Sequence, residues 1–410
     1  MKKNNEHSPL FTVFKRSDMP KWKAILIRVG AVFGVFVLTL LMASAVVHDN
    51  PFNVLQTLFK GAFISPWVLI YDSCVLLGFG VAIVPAFKMK FWNMGANGQV
   101  LASCLAAILI MFYYGEKMEN VPLILLMFVC AIVAGCVWAV VPALCKAFFN
   151  TNETLFTLMM NYIAVALVGY FNFVMAKGKK ETPGIINQLS KKGWIVLKSL
   201  PIEMRNYIVL IIFVLIITVL VYIYISKTKH GYEITVLGDS VKTAKYVGMN
   251  TKWITIRTLF VSGIICGCIG FLFAASVHHS VTVNLCGSLG FTGVLIAWLS
   301  NFNPLVMAGI SFFLAFLTNG TSKISSMYRL GSNDLSSVMI GLIFFAILVS
   351  EFFIRYVLKI NKDNNLVSKL FRKKENKENK DKEIDKEDKF ENKEVEVVAD
   401  TEKLESEEVK

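Results

Sequence analysis

Charge is scarce in this chain. Asp, Glu, Lys and Arg together make up 17% of the 410 residues, whereas soluble domains carry about 25%. The mean hydropathy is +0.58, and the sequence contains 32 Phe and 16 Met. A surface so poor in charge does not face water over most of its area. The composition therefore excludes a soluble enzyme, a DNA-binding protein and a secreted disulfide scaffold.

The motifs of the common catalytic and nucleotide-binding sites are missing as well. The string closest to a Walker A motif, 236–243, lacks both glycines whose backbone amides would cradle a phosphate. The sequence contains no HExxH motif, no GxSxG elbow and no Cys-x-x-Cys pair among its eight cysteines. We therefore predict no catalytic residue, no metal site and no cofactor, and we interpret the cysteines as small packing residues.

What the chain has instead is a series of long apolar segments. Most are about twenty residues long, the length of a helix that crosses a bilayer. The pattern predicts an all-α, polytopic integral membrane protein with about ten transmembrane or re-entrant helices. Segment 289–300 is short for a full crossing, so a tilted helix and a re-entrant piece both remain open for it. The ten segments are 25–47, 67–87, 97–114, 121–144, 155–174, 207–226, 252–276, 289–300, 304–319 and 334–358.

The net charge of +13 is unevenly distributed and predicts the topology. Lysines are concentrated in an N-terminal arm, 1–24, and in the loop 227–252, and loops rich in Lys and Arg are typically cytoplasmic. Six crossings separate these regions, so both fall on one side, and ten crossings return the C-terminus to that side. The loop 176–206 is also basic and opposes this topology. Because the basic residues lie between spans, we expect them to meet anionic lipid headgroups rather than nucleic acid.

The sequence therefore divides into three regions. The basic arm 1–24 precedes a transmembrane domain, 25–360, and a low-complexity tail, 361–410, follows it. The tail carries 13 Lys and Arg against 16 Asp and Glu, with few apolar residues to bury. We expect it to be a solvated cytoplasmic extension.

A few polar residues lie within the apolar segments. Asp72 is a carboxylate inside the second segment, and such residues are expensive in a bilayer and often functional. It is interpreted either as a residue of a solute path or as a group near the outer interface that pairs with a loop cation. Asn161 and Tyr162 lie in the fifth segment, where an amide beside an aromatic ring suits a base or sugar but also suits helix packing.

The loop 231–250 predicts a short helix between two spans, at about 238–248. Asp239 or Ser240 suits the N-cap and Gly248 the C-cap. Between the caps, Val241, Ala244 and Val247 are spaced to share one face. Such a helix would make a rigid lever for docking another subunit, although a surface helix of no special role gives the same pattern.

Three stretches resemble a known family. Residues 91–99, Phe-Trp-Asn-Met-Gly-Ala-Asn-Gly-Gln, resemble the Phe-Asn-Ile-Gly-Ala-Glu-Gly-Gln signature of bacterial ABC importer permeases for nucleosides and simple sugars, a branched-chain amino acid and ribose type of permease. Residues 152–164 are similar to that family's Asn-Glu-Val-Ile-x-Thr-Leu-Met-Leu-Asn-Tyr-Ile-Ala, and the loop 231–250 is similar to its coupling segment. Their order and spacing match, as do the glycines of 290–293 and Asn-Pro-Leu at 303–305.

The resemblance implies a function and its partners. The chain would be one of two permease subunits, paired with a homologue, in the bacterial cytoplasmic membrane with both termini cytoplasmic. A separate ATPase subunit would supply the energy, and an extracytoplasmic binding protein or lipoprotein would deliver the solute. Together with Asp72, Asn161 and Tyr162, the expected path residues are Asn93, Asn97 and Gln99. The residues expected to couple to the ATPase are Gly238, Asp239, Ala244, Tyr246 and Gly248.

The sequence departs from the family pattern at two of these sites. Asn97 stands where the signature has Glu, which removes a negative charge, and 236–237 lack the Arg of the coupling segment. Two other functions stay open: a secondary carrier, which would take up solute without an ATPase, and a membrane scaffold or receptor that works through its tail.

Overall fold

The computed structural model describes residues 11–15, 20–176, 184–197, 199–329 and 334–360. Within these residues the chain is almost entirely helical, and nine helices are long and apolar enough to cross a membrane. The predicted all-α polytopic fold is confirmed. The arm residues 1–10 and 16–19 and the whole tail 361–410 lie outside the described residues. By internal contacts the chain divides into a body, Gly34–Phe345, and a second unit formed by the two flanking ends.

The helices follow the apolar segments closely. A π-helical turn, Phe273–Val277, extends α11. The helices in chain order are α1 Lys21–Val47, α2 Pro51–Ala62, α3 Pro66–Lys88, α4 Ala96–Tyr114, α5 Asn120–Phe149, α6 Glu153–Met175, α7 Ile202–Arg205, α8 Ile208–Lys227, α9 Lys229–Asp239, α10 Val241–Tyr246, α11 Thr251–Leu272, α12 Leu289–Leu299, α13 Pro304–Met327 and α14 Asp334–Arg355.

Two features of the fold have no counterpart among the predicted segments. Helix α2 was not predicted, because its twelve residues are too few for a span and include Asn53, Gln56 and Lys60. Two strands, β1 Phe11–Lys15 and β2 Tyr356–Ile360, pair in antiparallel register with Phe11 opposite Ile360. The last predicted segment, 334–358, therefore runs three residues past the end of α14.

Helix α12 is too short to cross the hydrocarbon core by itself. It has eleven residues, which at 1.5 Å each reach only about half of a 30 Å hydrocarbon core. The loop 281–288 before it includes the buried residues Val281 and Cys286. Both predicted forms of this segment, a tilted helix and a re-entrant piece, are compatible with this length.

The central helices of the body pack through glycines. Helices α5 and α11 cross where Gly135, Gly263 and Gly267 face each other, and a Cβ on Gly263 would lie only 2.8 Å from the carbonyl oxygen of Gly135. Backbones approach this closely only where no side chain intervenes. At one end of the helices, the loop of α9 and α10 packs beneath the end of α3. We call this end of the body the α10 face.

Candidate functional site

Four predicted path residues lie at or against the start of α4, and we call Asn93, Asn97, Gln99 and Asn161 the amide cluster. Asn93 accepts hydrogen bonds from the Gly95 amide, at 3.0 Å, and from the side chain of Gln99, at 3.3 Å. Asn161 on α6 accepts from the Gly98 amide at 2.8 Å and donates to the carbonyl oxygen of Met94 at 2.8 Å. The cluster therefore fixes the loop before α4 and fastens α4 to α6.

Asn97, the fourth member of the amide cluster, joins α4 to the loop before α12. Its Nδ2 donates to the carbonyl oxygen of Gly287 at 2.9 Å, and its Oδ1 accepts from the Gly290 amide at 2.7 Å. An ionised glutamate has no hydrogen to donate to Gly287. The departure from the signature at this position thus gives this chain a bond between two helical segments that a carboxylate would not make.

The amides are buried among helices, and Tyr162 is turned away from them. Asn161 is 9% exposed, whereas its neighbour Tyr162 is 69% exposed, because adjacent helical residues point about 100° apart. Within the described residues, Asn93 Nδ2 and Gln99 Oε1 have no hydrogen-bond partner. A place on the solute path stays a prediction for these residues, and the bonds seen here attach them to the protein itself.

Asp72 lies on the wall of a cavity inside the body. The cavity has a volume of about 430 Å³, within the range of small-molecule sites. Asp72 Oδ2 accepts a hydrogen bond from the side chain of Asn319 on α13 at 3.0 Å. Pairing with a loop cation, the other interpretation of Asp72, is not found among the described residues. Asn319 was not predicted, although a single Asn at the end of an apolar segment was an available signal.

Among mainly apolar neighbours, the cavity lining includes a set of aromatic residues and a set of hydroxyl-bearing residues, which we call its aromatic side and its hydroxyl-bearing side. Tyr71, Phe273 and His278 line the first, with the Tyr71 hydroxyl 3.5 Å from His278 Nε2 and the rings of Phe273 and His278 in edge contact. The second is lined by Asp72 together with Ser288, Thr292, Thr318 and Ser322. A solute with a flat ring at one end and hydroxyls at the other would match both sides.

The predicted short helix is present as α10, and another helix, α9, ends directly before it. Gly238 and Asp239 are the last residues of α9, and Ser240 caps α10 by accepting a hydrogen bond from the Thr243 amide at 3.2 Å. Ser240 is thus one of the two predicted N-caps, and the helix that it begins covers 241–246 of the predicted 238–248. The break is stabilised by packing, because a side chain on Gly238 would overlap the carbonyl oxygen of Lys88, and Gly238 thus lets α9 lie against the end of α3.

Gly248 ends α10 as the spacing predicted. Its φ is +79°, and the amides of Gly248 and Met249 donate to the carbonyl oxygens of Lys245 and Ala244, at 3.0 and 2.9 Å. This left-handed turn is the usual glycine stop of a helix. The direction in which α10 ends is thus set by a conformation that few residues other than glycine adopt.

Helix α10 is anchored by one residue and exposes the rest. Ala244 is fully buried against Ile234, Leu237 and Leu259. The other two members of the predicted face, Val241 and Val247, are exposed, and Tyr246 is 94% exposed. Helix α9 is held to α11 by an ion pair of Glu233 with Arg257 at 2.7 Å, and this hydrogen bond lowers the pKa of the Glu233 carboxyl. The packing of Ala244 and the ion pair to α11 thus fix α9 and α10 in place, and Val241, Tyr246 and Val247 form an exposed tip.

At the opposite end of the body, residues 184–197 fold into a compact segment, which we call the cap. The Trp194 ring stacks on His279 with centroids 3.8 Å apart, and the Ile195 amide donates to the carbonyl oxygen of Ala275 at 2.8 Å. Asn187 donates to the carbonyl oxygen of Met111 at 3.1 Å. The cap therefore closes over the ends of α4 and α11. Burial lowers the pKa of His279 to about 4, with a smaller contribution from His278.

We expect acidic pH to destabilise the packing of the cap, because His279 beneath it becomes protonated on unfolding. Its pKa in the folded protein is below the ordinary value of 6.5, so stability is intact above pH 6.5 and is lost as pH falls from 6.5 towards 4. The loss is roughly 3 kcal/mol at most. A His279→Phe variant keeps a ring for Trp194 to stack on, and melting temperatures measured across this range should show a smaller acid loss. His230→Phe, on the exposed surface of α9, is the control and should behave as wild type; equal acid losses in all three proteins would contradict the assignment.

The fold and site can now be compared with known proteins. Residues 67–348 match the sequence profile of the family described as "Branched-chain amino acid transport system / permease component". The chain belongs to this permease family. The permease is 24% identical over 284 residues to the guanosine ABC transporter permease protein NupP of Bacillus subtilis, which covers 68% of this chain and 79% of the relative. No solved structure matches.

Two further relatives carry ABC permease names. The glucose ABC transporter permease protein TsgB13 of Haloferax volcanii is 25% identical over 363 residues, or 83% of this chain and 91% of its own. The nucleoside ABC transporter permease protein NupB of Lactococcus lactis is 24% identical over 247 residues, or 57% and 66%. The family resemblance predicted from the three stretches is confirmed, and the chain is a permease component of a transport system, not an enzyme.

Proposed function

We propose that this permease is the membrane-spanning subunit of an ATP-driven ABC importer and that its solutes are nucleosides. Two of the named relatives are guanosine or nucleoside permeases. In this chain, the observation that supports nucleosides as solutes is the cavity at Asp72. Its aromatic side suits a base, and its hydroxyl-bearing side suits a ribose. The path in this proposal runs through that cavity, and Asn97 of the amide cluster bonds to Gly287 and Gly290, on either side of the lining residues 288 and 289.

The proposal places the α10 face in the cytoplasm. Lysines are abundant there, at the ends of α3, α5 and α8 and along the loop of α9 and α10, as the positive-inside bias requires. The opposite face, with the cap, then meets an extracytoplasmic binding protein or lipoprotein, and both termini are cytoplasmic. The membrane is the bacterial cytoplasmic membrane, and the second permease subunit is a homologue that faces the exposed side of Tyr162.

A separate ATPase subunit would receive α10 in a groove. Three observations support this: the buried anchor at Ala244, the fixed turn at Gly248 and the exposed apolar tip at Val241, Tyr246 and Val247. Large aromatic side chains that are exposed in one subunit commonly become the main contacts of an interface. Tyr246 is such a side chain.

We expect Tyr246→Ala to weaken binding of the ATPase subunit by at least about tenfold without changing the melting temperature of the permease. The side chain makes little contact within the chain, so its loss costs the fold almost nothing. Co-purification and a titration of the ATPase in detergent would measure the change. Tyr113→Ala, at the other end of the body, is the matched control; equal ATPase binding by wild type and both variants would contradict docking through α10.

The proposed function is tested by reconstitution with the cognate ATPase, partner permease and binding protein in liposomes. We expect nucleosides to stimulate ATP hydrolysis and to accumulate inside. A glucose importer is the second candidate, favoured by the relative from Haloferax volcanii and by the hydroxyl-bearing wall of the cavity. Stimulation by glucose and not by any nucleoside would replace the first candidate with the second. Uptake without an ATPase would instead indicate a secondary carrier.

A further inference from the structure

Asp72 offers one carboxylate oxygen to the cavity and has the other fixed. Oδ2 accepts the hydrogen bond from Asn319 at 3.0 Å, and no bond within the described residues engages Oδ1. Asn319 therefore sets the plane of the carboxylate, because a bond from a neighbouring helix restricts the rotation of so short a side chain. A desolvated carboxylate oxygen held in this way is a strong hydrogen-bond acceptor.

The polar groups beside Asp72 are arranged to receive hydroxyl groups. The Thr318 hydroxyl donates to the carbonyl oxygen of Leu314 at 2.9 Å, so its oxygen has lone pairs free to accept. The Ser322 hydroxyl, one helical turn further along α13, forms no hydrogen bond within the described residues. Thr318 and Ser322 both line the cavity with Asp72. This wall is therefore rich in acceptors and holds no cationic group among its lining residues.

Tyr71 places the aromatic side of the cavity next to this wall. It precedes Asp72 on α3, lines the same cavity and packs against Tyr207 with ring centroids 4.6 Å apart. A base that lies against Tyr71 and His278 would carry its sugar towards Asp72. The sugar hydroxyls would then meet the acceptor oxygens of Asp72 and Thr318.

We propose that Asp72, positioned by Asn319, is the specificity-determining residue that binds the 2′- and 3′-hydroxyls of a ribonucleoside. A carboxylate can accept hydrogen bonds from two neighbouring hydroxyls, and a 2′-deoxyribonucleoside supplies only one of them. The desolvated charge of Asp72 then has one hydrogen bond fewer, which weakens binding of the deoxy compound. The site thus selects ribonucleosides over 2′-deoxyribonucleosides. This inference rests on the proposed nucleoside function.

The expected selectivity is at least about tenfold in the ratio of uptake efficiencies, guanosine over 2′-deoxyguanosine, because a hydrogen bond to a charged group is lost. The experiment uses the complete importer in liposomes and measures uptake of both compounds. Asp72→Asn keeps the size of the side chain and removes its charge, and we expect the ratio to fall towards one. Asn319→Ala should lower the ratio partly, and Asn319→Gln should restore some of it. The binding protein is the same throughout, so any change of ratio belongs to the permease.

Asp49→Asn is the matched control. Asp49 lies in the loop before α2, outside the cavity, where it accepts a hydrogen bond from the Tyr328 hydroxyl at 2.6 Å. It should keep the wild-type ratio. An Asp72→Asn importer that folds and keeps the wild-type ratio overturns the inference while the nucleoside function stands. A wild-type importer that transports neither compound overturns the nucleoside function itself. If Asp72→Asn does not fold, Thr318→Val tests the same wall, and an unchanged ratio there overturns the inference.

Discussion

Replacing Gly263 by valine is expected to abolish folded permease. A Cβ at this position would lie 2.8 Å from the carbonyl oxygen of Gly135 and 2.9 Å from both the Cβ of Ala139 and the Cα of Cys136. All three contacts are with backbone atoms or with the Cβ of an alanine, so no side chain can rotate away to relieve them. Overpacking a core ordinarily costs about 1–3 kcal/mol, and a rigid backbone contact is at the upper end or beyond it.

The crossing of α5 and α11 makes this cost hard to relieve. It is the most extensive helix contact in the body, and separating the two backbones would also disturb Gly135 and Gly267. Because natural domains are stable by only about 5–15 kcal/mol, we expect the variant to aggregate or to be degraded. Size-exclusion chromatography of a fluorescent fusion in detergent would show the loss of the monodisperse peak.

Gly309→Val is the matched control for this prediction. Gly309 lies on α13 with open space around it, since no atom is within 4 Å of an added Cβ. The same chemical change should leave the monodisperse peak intact there. A folded Gly263→Val protein with wild-type stability would show that the two helices do not depend on close approach.

Gly248→Val is expected to reduce transport at least about tenfold while the protein folds normally. At φ +79° a β-branched residue is strained by about 1–3 kcal/mol. Nothing lies within 4 Å of an added Cβ, so the strain is conformational and not a collision. The turn should relax to negative φ, which breaks the hydrogen bonds of Gly248 and Met249 and redirects the tip of α10 at Tyr246.

The control for Gly248→Val is Gly248→Asn. Asn tolerates the left-handed region far better than valine, so this variant should keep most of the transport. Uptake in liposomes and the melting temperature would be measured for both. Equal uptake by wild type and Gly248→Val would show that the turn does not direct the coupling contact.

The helices were predictable because a bilayer leaves few solutions. A chain in hydrocarbon must satisfy its backbone polar groups internally, so long apolar segments are helices almost by necessity. The ends of α3 and α4, and of α11 together with its π-helical turn, accordingly lie within one residue of the predicted segments. Helix α2 was not predicted, because an amphipathic helix of twelve residues does not span the hydrocarbon and need not be a long apolar segment. Helix α9 was not predicted, because its packing against the end of α3 depends on how closely Gly238 approaches Lys88.

The candidate site was predictable in its residue types and not in its arrangement. Asp72 was predicted as a candidate because a carboxylate within a membrane span is energetically costly and often functional. The structure places it on a cavity wall. Asn319, its partner, is 247 positions away, and no local pattern connects the two residues. Likewise Asn161 and Tyr162 are adjacent in sequence, but only the packing of α6 shows that one is buried and the other exposed.

The sequence by itself determined the membrane, the all-α fold and the permease family, because apolar length, scarce charge and local motifs are properties of short stretches of chain. The tertiary structure alone decided which polar groups meet. It joined the amides of α4 to α6 and α12, Asp72 to Asn319, and Ala244 to the core beneath α10. Hydrogen bonds and close packing form between residues that are near in space, and that proximity exists only once the helices have packed.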